Sequence, residues 1–429
     1  MRVNKPIHVF EHTWLKVDGT VFKDSHFKAL VHFNETHESK YFSVGLHRIY
    51  FKSWVGVIQV DDLTIEILPK ADRDHSESDT QKNKWHTVLL QMLREARYLK
   101  LESLTEAHLD LRNCSLLDLY FLSFIQEVEY LMHCGLVKKY RKEQGQVKSL
   151  KGRLVFQQQA TRNAIHKERF YTEHTQYDRN HLLNQILKRA LEILAQINRK
   201  DMLSLRTRRL LLDFDNIGTC SPELKDFDRI RLDRKTEPYK KALLIAKMII
   251  LNYSPDLKGG SNHILALLFD MNRLFESYVF RALNQAASQR TDLRISLQPQ
   301  QRRAFWKDKI IKPDIVASIT RDASQEVETI IIDAKWKVLT KLVPSDEDLR
   351  QMFAYNMHFK SQRSILLYPE VMYKTTDSSD FKVAGAASTF YHGCQLAFAP
   401  VANPNGTLNR EFGNEFFNKI LGKPENQAQ

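Results

Sequence analysis

Two runs in the C-terminal third combine residue types suited to phosphodiester hydrolysis. KIIKPDIVASI (309–319) carries Asp314 near its start, and ETIIIDAKWKVL (328–339) carries Asp333 and Lys335 near its end. Both have strand character, and the segment TRDASQEVE (320–328) joins them into an expected antiparallel hairpin. Antiparallel pairing sets the start of one strand beside the end of the other. A spacing of two places Asp333 and Lys335 on one face. Two carboxylates and an ammonium then meet at one end of a sheet. Carboxylates suit Mg²⁺, or Mn²⁺, which keeps waters and accepts substrate phosphate oxygens. Such an ion lowers the pKa of its bound water and stabilises charge on the attacked phosphate. Lys335 would orient the water or offset the developing charge. A lysine at a buried strand end costs free energy unless it is used or paired.

The flanks extend the set. Glu276 lies at the edge of the apolar stripe Met271, Leu274, Phe275, Tyr278, Val279 and Ala282, which predicts a helix. It would add a third metal-facing carboxylate. Gln351 and Tyr355, four apart in DLRQMFAYNMHF, share one helical face and can hydrogen-bond to phosphate or to a metal-bound water. A lone Asp-x-Lys carries almost no information, because a surface ion pair gives the same pattern. Asp314, a hairpin, Asp333-Ala-Lys335, then Gln351-x-x-x-Tyr355 behind an acidic helix is far more specific.

These residues need elements to hold them. Residues 1 to about 70 read as strands, with WVGVIQV and LTIEILP joined by a tight turn at 60–63. From Trp85 the period becomes helical, through WHTVLLQMLREARYL, LLDLYFLSFIQEVEYLMHCGL (stopped at Gly135), roughly 179–198 and 240–251. A short strand is expected near 150. Leu257-Lys-Gly-Gly-Ser261 is the best boundary candidate. Beyond it the order reads helix 271–287 with Asp270 as N-cap, strands 293–298, 310–320 and 327–334, helix 346–359, strand 363–368, a strand in TFYHGCQLAFAPV, and a helix near 411–421. The expected protein is α+β and multidomain: a β-rich partner-binding domain over 1–84, a mainly helical region over 85–258, and an α/β nuclease domain with a mixed central sheet over 259–429.

The 429 residues exceed one hydrophobic core. Net charge is +13, which favours a polyanionic partner. The charge is concentrated between Lys138 and Arg169, where ten Lys/Arg face two acidic residues, and again from Arg290 to Lys312. Lys138, Lys139, Arg141, Lys142, Lys148, Lys151, Arg153, Arg302 and Arg303 are therefore expected to contact DNA. The four cysteines form no CxxC pair, and there is no GxxxxGK[ST], HExxH or GxSxG. The chain is thus expected to bind no nucleotide itself. His8 and His12 lie among strand signals and are not expected to bind metal. Without a secretory h-region or an apolar run of about 18–20 residues, a cytoplasmic location is expected, with no membrane partner.

At this point the hairpin and its flanks resemble the PD-(D/E)xK nuclease superfamily. The whole chain resembles McrC, the nuclease subunit of McrBC-type modification-dependent (type IV) restriction systems. The matching stretches are VGVIQVDDLTIEILPKA (55–71), LKGRL (150–154) with Asn163, YDRNHLLNQILKRAL (177–191), MNRLFESYV (271–279), PDI (313–315), DAKWK (333–337) and DLRQMFAYN (348–356). The resemblance implies that Asp314, Asp333 and Lys335 are the catalytic triad and that Glu276, Gln351 and Tyr355 are accessory positions. It further implies a hexameric AAA+ GTPase partner of the McrB type, engaged by the β-rich N-terminal domain, and cleavage of foreign or phage DNA containing 5-methylcytosine. Base recognition would reside in the partner. Two other readings fit the residues: a PD-(D/E)xK nuclease of a recombination or repair system, and a non-catalytic DNA-binding activator of an AAA+ ring.

Overall fold

The computed structural model describes residues 6–70, 78–98, 115–198, 201–255, 263–321, 327–339, 341–371, 376–382 and 392–422. The glycine pair proposed as a boundary at 259–260 lies outside them, as do 72–77 of the linker candidate at 72–84 and residues 389–391 of the last expected strand; residues 79–84 of that candidate are helical, not linker.

In chain order, β1 (Ile7–Phe10) and β2 (Trp14–Lys16) precede helix α1 (Asp24–Thr36). Strands β3 (Phe42–Gly45), β4 (Arg48–Phe51), β5 (Trp54–Val60) and β6 (Leu63–Leu68) follow, then helices α2 (Asp79–Glu95) and α3 (Leu116–Cys134). Next come β7 (Lys139–Val147), β8 (Arg153–Leu154), α4 (Phe156–Arg162) and β9 (Phe170–Asp178). Helices α5 (Leu182–Ile197), α6 (Asp201–Asp213), α7 (Leu224–Arg229) and α8 (Lys240–Leu251) lead to β10 (Tyr253–Pro255) and β11 (His263–Asp270). The last part runs α9 (Met271–Gln289), β12 (Leu293–Pro299), β13 (Arg303–Trp306), β14 (Lys309–Ile311), β15 (Ile315–Arg321) and β16 (Val327–Ala334). It ends with α10 (Asp346–Phe359), β17 (Arg363–Pro369), β18 (Asp377–Asp380), β19 (Gly393–Ala399) and α11 (Phe412–Leu421).

The chain divides into two units that are discontinuous in sequence. Among the described residues one takes Ile58–Thr64 and Leu117–Leu267, and the other takes Pro6–Val57, Ile65–Leu116 and Leu268–Gln429. The three consecutive segments expected from the sequence cut across this division. The N-terminal strand β1 pairs in parallel with the second half of β6, and α2 packs on α9, so the chain's start and its C-terminal third share one unit.

That unit carries a six-stranded mixed sheet in the order β12-β15-β16-β17-β19-β18. β15 pairs antiparallel with both β12 and β16, while β16, β17 and β19 are mutually parallel. The Ile-rich centres of β15 and β16 are buried, as central strands covered on both faces must be. A parallel step from β16 to β17 needs a crossover, and α10 provides it. Ser345 caps α10 by accepting from the Asp348 N–H, and Asp346, Glu347 and Asp348 lie against its positive end. Met352, Tyr355 and Phe359 on α10 pack with Ile331, Leu366 and Phe398 of the sheet.

Helix α11 lies so close to α9 that only glycine fits at 413. A Cβ there would run into the Ala282 carbonyl oxygen and come within 2.8 Å of the Ala286 Cβ. Gly413→Ala is expected to destabilise the protein by about 1–3 kcal/mol, the usual cost of overpacking. Denaturant unfolding checks this, and an unmoved midpoint would mean that α11 yields freely.

Three local expectations need correction. Residues 24–36 are helical, not strand: His26, Leu30, Phe33 and Asn34 recur at helical spacing and are buried, but polar neighbours mask the period. The expected strand 310–320 is broken. Pro313 has no N–H to donate to a ladder, so β14 stops before it and β15 starts after Asp314. The middle region holds an antiparallel sheet β7-β9-β8, so the first basic stretch is largely strand and turn.

Candidate active site

β15 and β16 form the expected hairpin, with Ile315 opposite Ile332. Asp314 sits one residue ahead of β15 and Asp333 one residue beyond Ile332, so the two face each other at the end of the ladder. Asp314 Oδ2 accepts from the Ala334 N–H at 2.9 Å, which fixes its carboxylate across the gap. Asp333 is buried, 2% exposed, and the Lys335 ammonium lies 2.7 Å from its Oδ2. Glu276 reaches the same place from α9, whose N-terminus is capped by Asp270 as expected. This is the carboxyl end of the parallel strands, where open α/β sheets form ligand crevices.

The three carboxylates strain against one another. Burial, then Asp333 and Glu276, push Asp314 up to about 8. Burial also raises Asp333, with Lys335 pulling the other way. Glu276 is raised by burial, then by Asp333 and Asp270. Burial opposes the charge on Lys335, but Asp333, Asp348 and Asp314 outweigh it and hold the ammonium protonated above its ordinary range.

Gln351 and Tyr355 do meet on one face of α10, but they bond to protein groups. Lys335 Nζ donates to Gln351 Oε1 at 3.0 Å, Gln351 Nε2 donates to Tyr355 Oη at 2.7 Å, and that hydroxyl donates to the Lys312 carbonyl at 3.0 Å. The chain of bonds fixes the ammonium and ties α10 to the segment leading into Asp314. A residue missed in sequence completes it. Asp348, 7% exposed, ion-pairs with Lys337 and lies 3.5 Å from the Lys335 ammonium. Its place three residues after Ser345 reads only as a helix cap.

A hollow of about 220 Å³ opens beside two of the three carboxylates, Glu276 and Asp314, and is lined by Gln300 and Arg281 among others. At about 30 Å³ per water it holds roughly seven waters, enough for a hydrated cation. A larger hollow of about 560 Å³ lies at the opposite end of the strands, around Glu328, Arg363 and Gln395, with none of this constellation. Among the described residues, no three His, Cys, Asp or Glu side chains stand close enough to hold a metal as they are. The donor set still fits a divalent cation: three hard oxygen ligands, each raised by burial and repelling one another, are what such an ion relieves.

A second buried carboxylate holds the segment that follows β16. Glu11 Oε1 accepts from the Trp336 indole N–H at 2.7 Å and from the Lys70 N–H at 3.1 Å, while its Oε2 has no hydrogen bond. Burial raises its pKa to about 7, against the pull of Trp336. The folded state therefore binds this proton more tightly than the unfolded chain, whose value is near 4.5. The stabilisation is complete below about pH 4.5 and is lost as pH rises through about 7, a change of about 3 kcal/mol. Glu11→Gln is expected to flatten the melting temperature between about pH 5 and 8 and to exceed the unmodified protein at about pH 8. Parallel melting curves for the two proteins would refute this.

The remaining sequence expectations separate. His8 Nε2 lies 2.9 Å from a carboxylate oxygen of buried Glu66. Lys138, Lys142, Lys148, Lys151 and Arg153 are exposed around β7 and β8, and Lys139 is half-buried. Arg141 is held by Asp178 and Glu143 at 2.9 and 2.8 Å. These residues belong to the unit that lacks the carboxylates. Arg302 is exposed beside the site, whereas Arg303 donates to the His358 carbonyl and lies over the Phe359 ring. Among the described residues no helix is long and apolar enough to cross a membrane.

Comparison with known proteins gives three findings. The family described as McrBC 5-methylcytosine restriction system component matches residues 49–369. No curated protein matches the chain. Among solved structures, the chain is similar to one from the refined half-complex of the tetradecameric assembly of Thermococcus gammatolerans McrB AAA+ hexamers with bound McrC. That likeness has 18% identity and a TM-score of 0.67, over 97% of this chain and 99% of that one. It shows a shared fold across nearly the whole length. A chain of the cryo-EM structure of the Thermococcus gammatolerans McrBC complex matches at 20% identity and a TM-score of 0.49, over 66% of this chain and 88% of that one.

Proposed function

The chain belongs to the McrBC family of 5-methylcytosine restriction system components, and on that premise we propose that it is the nuclease subunit, the counterpart of McrC. In this reading it cleaves double-stranded DNA containing modified cytosine when a GTP-hydrolysing AAA+ hexamer of the McrB type activates it. The observation that carries the reading is the meeting of Asp314, Asp333 and Glu276 with a protonated Lys335 at the carboxyl end of a mixed sheet.

Asp314, Asp333 and Glu276 would hold Mg²⁺ or Mn²⁺. When bound, such an ion supplies a water of lowered pKa and positive charge against the scissile phosphate. The chain's own residues do the rest. Ala334 N–H orients the Asp314 carboxylate. Gln351 and Asp333 hold the Lys335 ammonium in one place, where its charge offsets that developing on the phosphate oxygens. Tyr355, pushed up to about 12 by burial and then by Asp333, remains a neutral hydroxyl and keeps Gln351 turned towards Lys335.

The test is cleavage of cytosine-methylated and unmethylated plasmid, with Mg²⁺ and GTP, by the chain purified with its AAA+ GTPase. Cutting that needs both methylation and GTP is the expected result. Cutting indifferent to both would assign the site to another DNA-processing system. No cutting, with GTP hydrolysis still stimulated, would make the chain a non-catalytic activator.

A further inference from the structure

Between the last residue of β12 and the first of β15 the chain leaves the central sheet and makes a separate two-stranded ribbon, β13–β14. The ribbon starts from the catalytic position itself: its base is closed by the Gln300 N–H donating to the Asp314 carbonyl at 2.9 Å. One edge is anchored to the end of α10. There Arg303 bonds the His358 carbonyl, its guanidinium lies 4.3 Å from the Phe359 ring centre, and Phe305 meets the His358 ring edge-on at 5.1 Å. Among the described residues the tip has no such anchor. Trp306 is 62% exposed and Ile310 53%, and the Lys307 ammonium lies 4.7 Å from the Trp306 ring centre. Lys307 turns the chain with φ +48, a conformation a side chain adopts at a cost. From Gln300 to Pro313 the segment holds Arg302, Arg303, Lys307, Lys309 and Lys312 against the single acid Asp308.

A basic ribbon tipped with an exposed tryptophan needs a partner. A second copy of this chain would bring the same positive charge to a symmetric contact, which like-charge repulsion disfavours. A two-stranded ribbon fits a groove of duplex DNA, lysines flanking it meet phosphates, and an apolar wedge unstacks a base step. The reach agrees. Lys309 stands five positions before Asp314, at most about 16 Å of extended chain, or roughly five base-pair steps of about 3.4 Å.

We propose that the β13–β14 ribbon grips the DNA duplex beside the scissile phosphate, with Trp306 as the wedge and Lys307 and Lys309 on neighbouring phosphates. This rests on the nuclease reading, and the test reads DNA binding rather than cleavage so that the two can fail separately. The full chain is titrated with a fluorescein-labelled duplex of about 30 base pairs in Ca²⁺ at several salt concentrations, followed by anisotropy. Trp306→Ala is expected to weaken binding about tenfold or more, the range for removing one stacked base, with Trp306→Phe restoring most of it. Lys307→Ala with Lys309→Ala is expected to lower the log–log salt slope by about 0.9 for each phosphate no longer neutralised. Because these side chains are exposed, unchanged melting temperatures should accompany both effects. Unmodified chain that binds duplex, with Trp306→Ala binding equally well, overturns the ribbon proposal alone. A Trp306→Ala protein that keeps DNA affinity but loses the AAA+ ring, or self-association, overturns it in favour of a protein contact. An unmodified chain that binds no duplex overturns the ribbon proposal and leaves the nuclease reading to the cleavage assay with the AAA+ partner.

Discussion

Asp333→Asn is expected to lower the rate of DNA cleavage by about a thousandfold or more while the protein melts at the same or a higher temperature. The loss follows from position. Asp333 faces Asp314 across the end of the β15–β16 ladder and is the carboxylate closest to Lys335, so on the proposed reading its removal takes away both a metal ligand and the partner that seats the ammonium. Losing one preorganised electrostatic group in a water-poor site commonly costs a factor of about 10²–10³, and a metal ligand counts for at least as much. The retained stability follows from the pKa. Burial raises Asp333, so its ionised form opposes folding at neutral pH, and a neutral amide of the same shape removes that opposition. Single-turnover cleavage and a melt on the same preparation check both halves. A variant that cuts at the original rate would remove Asp333 from the chemistry. One that loses activity only because it unfolds would reduce it to a structural role.

Lys335→Ala is expected to lose a comparable factor in cleavage, with the opposite effect on stability. Without the ammonium, buried Asp333 has no cation at 2.7 Å, and its pKa rises further. The folded variant then holds a proton that the unfolded chain releases. Its stability deficit is therefore small near about pH 5 and grows as pH climbs, reaching about 3 kcal/mol at about pH 8 in the presence of a chelator. Lys335→Arg keeps the charge but replaces a point donor to Gln351 with a planar fork, so stability should return while activity stays low. A deficit that does not vary with pH would mean that Lys335 does not neutralise Asp333.

Much of the site was legible because its signals are local. The Ile-rich runs around Asp314 and Asp333 announce strands, the nine residues between them announce a hairpin, and the spacing of Gln351 and Tyr355 announces a shared helical face. The structure adds what depends on contacts between distant residues. Nothing in DLRQ marks Asp348 as a partner of Lys337, because its position after Ser345 already has a local explanation as a helix cap. The ribbon β13–β14 is hidden because its strands are short and exposed, so neither shows the alternation of a half-buried strand. Helix α1 is hidden for a related reason: two of its four buried positions, His26 and Asn34, are polar. The sheet β7-β9-β8 is masked by charge, since the lysines and arginines of β7 read as a basic stretch before they read as a strand.

The hydrogen bond from Trp336 to Glu11 joins residues 325 apart in sequence. On a ribosome moving at about 5–20 residues per second, the glutamate is made roughly 16 to 65 seconds before its indole partner. During that interval its carboxylate stays hydrated, and the strand bearing Asp333 does not yet exist. Glu276, Asp314, Asp333 and Gln351 also arrive one after another in the last stretch of synthesis. A growing chain therefore brings these side chains together only after most of the protein has been made, and the order of translation itself delays whatever chemistry they perform.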